Sequence, residues 1–151
     1  MQRLIFELAL RLQRYLTTHG IGEVFLGPAE LTLVTGERYE PDLFVLPAVS
    51  GRRPTVSKSP TTPLLICETL SAGSSRHDRF TKRRALQRNG VPDYWIIDGD
   101  TEALEIWHPE DDRPALVDDT LIWLPAGAPV PFELDVRALF ASASDDGPLP
   151  G

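Results

Sequence analysis

The spacing of apolar positions marks out the elements of this chain. Leu4, Ile5, Leu8, Leu12, Tyr15 and Leu16 recur every three or four residues. They predict a helix over Arg3 to His19 with one apolar face, ended by Gly20 or Gly22. Short extended runs follow at Glu23–Leu26 and at Glu30–Val34, where Leu31 and Leu33 share a face. Thr35 to Arg38 reads as a turn. Pro41-Asp42 leads into the run Leu43 to Leu46, with Pro41 suited to a strand's first position. Residues 47–62 are loop-like, with Arg52, Arg53 and Lys58 among their polar positions. Then comes Pro63-Leu64-Leu65-Ile66-Cys67-Glu68-Thr69-Leu70, an aliphatic strand interrupted by a single acid.

Later elements follow the same logic. After the small residues Ser71 to Ser75, a helix is expected over Arg76 to Arg88, closed by Asn89-Gly90. Its apolar stripe is modest, carried by Phe80, Ala85 and Leu86. Asp93 to Asp98 is a strand by its aromatic and branched content, and Ala103–Trp107 is its hairpin partner. Leu121–Leu124 is a further short strand. Asp135 to Phe140 predicts a brief helix, and residues 142–151 a flexible tail after a domain of residues 1–141. The order of elements fits an α/β fold, a mixed sheet with helices against it.

Strand alternation places Leu64, Ile66, Glu68 and Leu70 on one face. An ionised carboxylate among aliphatic neighbours is costly to bury unless it is neutralised, paired with a cation or bound to a metal. Asp42 occupies the start of another strand of the same expected sheet. Were the two strands neighbours, a divalent ion would relieve the repulsion between two acids. Oxygen-only ligands favour Mg2+ or Mn2+ over zinc. On the following helix Asp78 and Lys82 stand four apart and share a face.

Charge is unevenly divided. Of a net −7, residues 1–92 carry +5 and residues 93–151 carry −12. A polyanion would therefore meet the first part, where Arg76, Arg79, Lys82, Arg83, Arg84 and Arg88 crowd one helix. The structural alternatives are plain. Glu68 could pair with a buried cation, Asp78 could cap its helix, Lys82 could pair with Asp78, and the basic residues could form a solvated face. His19, His77 and His108 show no metal-ligand spacing, and there is neither a Gly-x-Ser-x-Gly nor a phosphate-loop motif. Cys67 is the only cysteine, which excludes an internal disulfide and fits a cytoplasmic location. No run of eighteen apolar residues predicts a membrane span. Glu7, Arg11 and Arg14 break the pattern a signal peptide would need, so the first helix is expected to belong to the mature protein.

Pro41-Asp42, Glu68 followed by Thr69-Leu70-Ser71, Asp78, Lys82, and the block Gly90-Val91-Pro92-Asp93-Tyr94-Trp95-Ile96-Ile97-Asp98 resemble the Uma-type restriction endonuclease family. That family is grouped with the PD-(D/E)xK nuclease superfamily. The resemblance runs from the first helix to about Phe140. It implies a restriction-endonuclease-like mixed sheet flanked by helices, and a magnesium-dependent endodeoxyribonuclease acting on DNA. By that likeness Asp42 and Glu68 hold Mg2+ or Mn2+, with the carbonyl of Thr69 assisting. The superfamily places a lysine two residues after the acid, where this chain has Leu70; the family's displaced lysine maps to Lys82. Asp78 would support the site. Arg52, Arg53, Lys58, Arg76, Arg79 and Arg83 would contact phosphates. Ala72 and Leu86 depart from the family pattern, which leaves a non-catalytic interaction protein of the same fold as the alternative. A homodimer sealed by exposed apolar faces is a further expectation.

Overall fold

The computed structural model describes residues 2–70 and 76–144, with side chains of the second segment described from residue 79. Helix α1 spans Gln2–His19. Leu4, Leu8, Leu12 and Leu16, each one turn apart, are buried along its inner face. Gly20 ends it with a φ of 63°, the left-handed conformation that glycine adopts freely. The amide of Ile21 then bonds the carbonyl of Leu16 at 3.0 Å, the six-to-one closure expected after such a residue.

Ten short strands follow. β1 (Gly22–Leu26), β2 (Leu31–Thr32), β3 (Arg38–Tyr39), β4 (Leu43–Pro47) and β5 (Leu65–Thr69) precede helix α2 (Arg76–Arg88). After it come β6 (Tyr94–Asp98), β7 (Ala103–Trp107), β8 (Ala115–Val117), β9 (Thr120–Trp123), β10 (Phe132–Asp135) and helix α3 (Val136–Ala143). Six strands form the main sheet in the order β1-β4-β5-β6-β7-β8. β5 and β6 are parallel, joined through α2; the other neighbours in this sheet are antiparallel. Two small hairpins, β2 with β3 and β9 with β10, complete the folding units. The architecture is the mixed α/β sheet that the sequence predicts.

Each face of the sheet has its own core. Leu43, Val45, Leu65, Cys67, Trp95 and Ile97 pack with the α1 leucines, α3 and the β9–β10 hairpin. Phe44, Leu46, Ile66, Tyr94, Ile96 and Trp107 pack on the opposite face with Leu31, Leu33 and Leu86 of α2. The predicted alternation along the central strand holds for Ile66 and Leu70, which lie on this second face. Leu64 departs from it. It precedes β5, where the strict two-residue period has not begun, and packs on the first core instead. Phe80 departs too: it is 53% exposed, while Ala85 and Leu86 carry the buried side of α2. Burial pushes the Cys67 thiol well above its ordinary pKa, as the predicted inert role requires.

α1 and α3 cross-link the ends of the fold. Arg11 lies 3.6 Å from the buried carboxylate of Glu7 and donates to Ser142 Oγ on α3 at 3.2 Å. Arg3 donates to the carbonyl of Ser144 at 2.9 Å. Asp135 does not open α3 as a helical residue but caps it, accepting from the amide of Ala138. α3 continues through Ser142 and Ala143; residues 145–151 of the expected tail lie outside the described residues. Among the described residues no helix is long and apolar enough to cross a membrane.

At the start of β6 the Asp93 carboxylate accepts from Trp123 Nε1 at 3.2 Å and lies 3.0 Å from His108 Nε2. Burial raises its pKa above the ordinary 3.8, against the opposing effects of His108 and the Trp123 bond. A raised acid holds its proton more tightly in the folded state, so stability falls as pH rises through the shifted range. Relative to Asp93→Asn, the natural protein should lose stability as pH climbs above 3.8 and level off once Asp93 is ionised. Urea midpoints of both proteins across that range measure the difference.

Candidate active site

The carboxylate of Glu68 projects from the last turn of the central strand β5 toward α2. Its side chain is 15% exposed, so its charge must be met locally. Two groups meet it. Lys82 Nζ, from α2, donates to Oε1 at 2.7 Å. The Tyr94 hydroxyl, from β6, donates to Oε2 at 2.9 Å. The parallel register that pairs Ile66 with Tyr94 and Glu68 with Ile96 brings that phenol beneath the acid. Burial and the neighbouring Glu68 charge push the Tyr94 pKa far up, so it remains a donor at any working pH. Sequence reasoning placed Tyr94 only within a core strand. Its polar tip beside an aliphatic run was the available signal for a partner.

Asp42 stands just before β4. The register pairing Leu43 with Cys67 sets Asp42 opposite Glu68 one step further along. Its Oδ2 accepts from both the amide of Thr69, at 2.8 Å, and the Thr69 hydroxyl, at 3.0 Å. Its own carbonyl accepts from Gly27 at 3.1 Å. The two acids thus lie at the same end of adjacent strands, Asp42 just before β4 and Glu68 near the end of β5, each with different donors. A cavity of about 710 Å³ opens beside Asp42 and Thr69, walled by Arg3 and Phe6 of α1 and by Leu26.

The other expected residues are dispersed. Arg53 pairs with Glu23 of β1 at 3.4 Å. Glu23 faces Leu46, so this basic loop is anchored near the far end of β4, roughly 13 Å along the strand from Asp42. Arg52 and Lys58 of that loop are exposed. Arg79 and Arg83 lie on α2 near Lys82 and β7. The side chains of Arg76 and Asp78 lie outside those described, as do Ser71 to Ser75.

The family model described as "Putative restriction endonuclease" matches residues 2–137. The chain belongs to this family, Uma2. Its fold is similar to that in the "Crystal structure of a putative nuclease belonging to DUF820 from Anabaena variabilis ATCC 29413". The likeness has a TM-score of 0.73 at 18% identity and covers 94% of this chain and 80% of that one. Among curated proteins none matches the sequence. Within the Uma2 framework, the acids at that end of β4 and β5 and the lysine that reaches over from α2 are the chemically equipped group.

The donor set suits a hard cation. Asp42 and Glu68 each offer carboxylate oxygens; Asp42 lines the cavity beside α1, whereas Glu68 meets Lys82 of α2 and Tyr94. Magnesium is commonly held by one or two carboxylates, with water and phosphate oxygens filling the remaining positions. Among the described residues no group of three or more His, Cys, Asp or Glu side chains is placed to hold a metal. A two-carboxylate site of that kind would draw on Asp42 and Glu68, with water and phosphate oxygens completing it.

Proposed function

We propose that this Uma2 protein is a metal-dependent endonuclease that hydrolyses phosphodiester bonds of nucleic acid. The observation that carries the reading is the Lys82 ammonium seated on Glu68 at 2.7 Å, at the end of β5 beside which Asp42 precedes β4. Asp42 and Glu68 would hold Mg2+ or Mn2+, with the Thr69 carbonyl as a further oxygen. A bound ion would supply polarisation of a phosphoryl oxygen and an acidified water. Tyr94 fixes the orientation of the Glu68 carboxylate. Lys82 contributes a positive charge against the negative charge that develops on the phosphoryl oxygens. Thr69 holds the Asp42 carboxylate by two donors and so limits its rotation.

Nicking of supercoiled plasmid in Mg2+ or Mn2+ tests this function. We expect cleavage by the natural protein, its loss with a chelator, and a fall of about a hundredfold or more in Asp42→Asn. One observation favours the non-catalytic alternative: both Glu68 oxygens already have donors, which is also how a closed structural ion pair looks. Titration calorimetry with Mn2+ separates the two readings. Absence of heat, together with no cleavage of duplex, single-stranded DNA or RNA, would favour an interaction protein.

A further inference from the structure

On the α2 side of the sheet, Glu68, Ile96 and Glu105 form a row across β5, β6 and β7. Beyond Ile96 lies a groove of about 250 Å³ between α2 and β7, lined by Arg79, Phe80, Arg83, Ile96, Glu105 and Trp107. It begins one strand spacing, about 5 Å, from the Glu68 position. A single exposed phenylalanine is commonplace on a protein surface. Here it belongs to a built stack. The Arg83 guanidinium lies 4.1 Å from the centre of the Trp107 ring and 4.9 Å from that of Phe80. Trp107 is in turn fixed by its indole N–H, which donates to Glu105 at 2.7 Å. The Nε atoms of Arg79 and Arg83 are buried and have no acceptor among the described residues. Two guanidinium side chains lining a groove beside a half-exposed phenylalanine suit an anion carrying a flat ring.

We propose that this groove holds an unpaired nucleotide of the substrate, its base stacked on Phe80 and its phosphate on Arg79 and Arg83. The inference rests on the nuclease reading and names the substrate class: nucleic acid with a single-stranded stretch beside the cleaved bond. The Glu105 carboxylate sets the polarity. It repels phosphate from the floor and can accept a hydrogen from a base amino group, so the base points inward and the backbone outward. A duplex hides both faces of each base, whereas an unpaired base offers them for stacking. The cation–π stack keeps Arg83 flat, which holds the platform rigid before the strand arrives.

Fluorescence anisotropy tests this in the presence of a chelator, so that no strand is cut. The probes are a labelled single strand of mixed sequence, as DNA and as RNA, and the DNA strand annealed to its complement. The natural protein should bind at least one of the single strands more tightly than the duplex. Phe80→Ala should weaken single-strand binding about tenfold, the size of one lost base–aromatic stack, with duplex binding unchanged. Phe80→Trp should restore it, which a merely structural role for Phe80 would not require. Equal affinity for strand and duplex, no binding of any probe, or full single-strand binding by folded Phe80→Ala overturns the proposal. Cutting by the natural protein together with unchanged binding in Phe80→Ala would remove this site and leave the nuclease function standing. Phe80-dependent binding without cutting of any substrate would do the reverse.

Discussion

Glu68→Ala is expected to lower plasmid nicking about a thousandfold without unfolding the protein. The size follows from what Glu68 touches. It is the common acceptor of Lys82 and Tyr94, so its removal takes away a proposed metal ligand and releases the lysine that it positions. Loss of a single preorganised electrostatic contact already costs about 10²–10³ in turnover. Losing the ligand and the lysine's anchor together belongs at the upper end. Folding should survive, since Lys82 is 36% exposed and can turn to water. The Tyr94 hydroxyl loses its partner, which costs about 1–3 kcal/mol if water does not reach it. Initial nicking rates, with circular dichroism on the same samples, measure both effects. A rate within threefold of the natural protein would remove Glu68 from the chemistry. Glu68→Gln sharpens the test: the amide keeps the shape and an acceptor for Tyr94 but lacks the charge, so its rate should fall as far as that of the alanine variant.

The largest stability effect should come from Trp95. It is 1% exposed as the second residue of β6 and meets Trp123 edge-on, with ring centres 5.5 Å apart and planes at 80°. Trp123 in turn stacks edge-on against Phe132. Trp95 thus joins the main sheet to the β9–β10 hairpin. Trp95→Ala should cost about 3–5 kcal/mol, the range for emptying a large aromatic site in a core. Against a usual total of about 5–15 kcal/mol, much of the protein's stability would be gone. Trp95→Phe keeps a ring against Trp123 and should lose markedly less. Urea unfolding midpoints decide it. A loss below about 1 kcal/mol for the alanine variant would mean that the core refills the space.

Much of the central fold was legible because its strands are short and strongly apolar. β5 stands out as an aliphatic run holding one acid, and β7 and β6 match their predicted limits to within a residue. The position of Lys82 one turn into its helix already let it reach back over the carboxylates, as its bond to Glu68 shows, whereas its expected catalytic part rests on the family resemblance. Other parts carried weaker signals. β8 lies at the sheet edge with Leu116 74% exposed, so it shows no alternation between buried and polar positions. β10 does show it: Phe132 and Leu134 are buried while Glu133 and Asp135 are exposed, a period of two over four residues. The Tyr94–Glu68 bond and the Arg83–Trp107 stack join residues whose meeting depends on strand register. Spacing within one element cannot reveal such contacts.

The bond from Arg3 to Ser144 spans 141 positions of sequence. The leucine stripe of α1 finds part of its cover only on α3, which follows it in synthesis by the whole of the main sheet. Until then the nascent polypeptide carries a greasy surface without its late-made partner. Full burial of that stripe must therefore wait until α3 has left the ribosome, and holdase chaperones have a natural client in the interval.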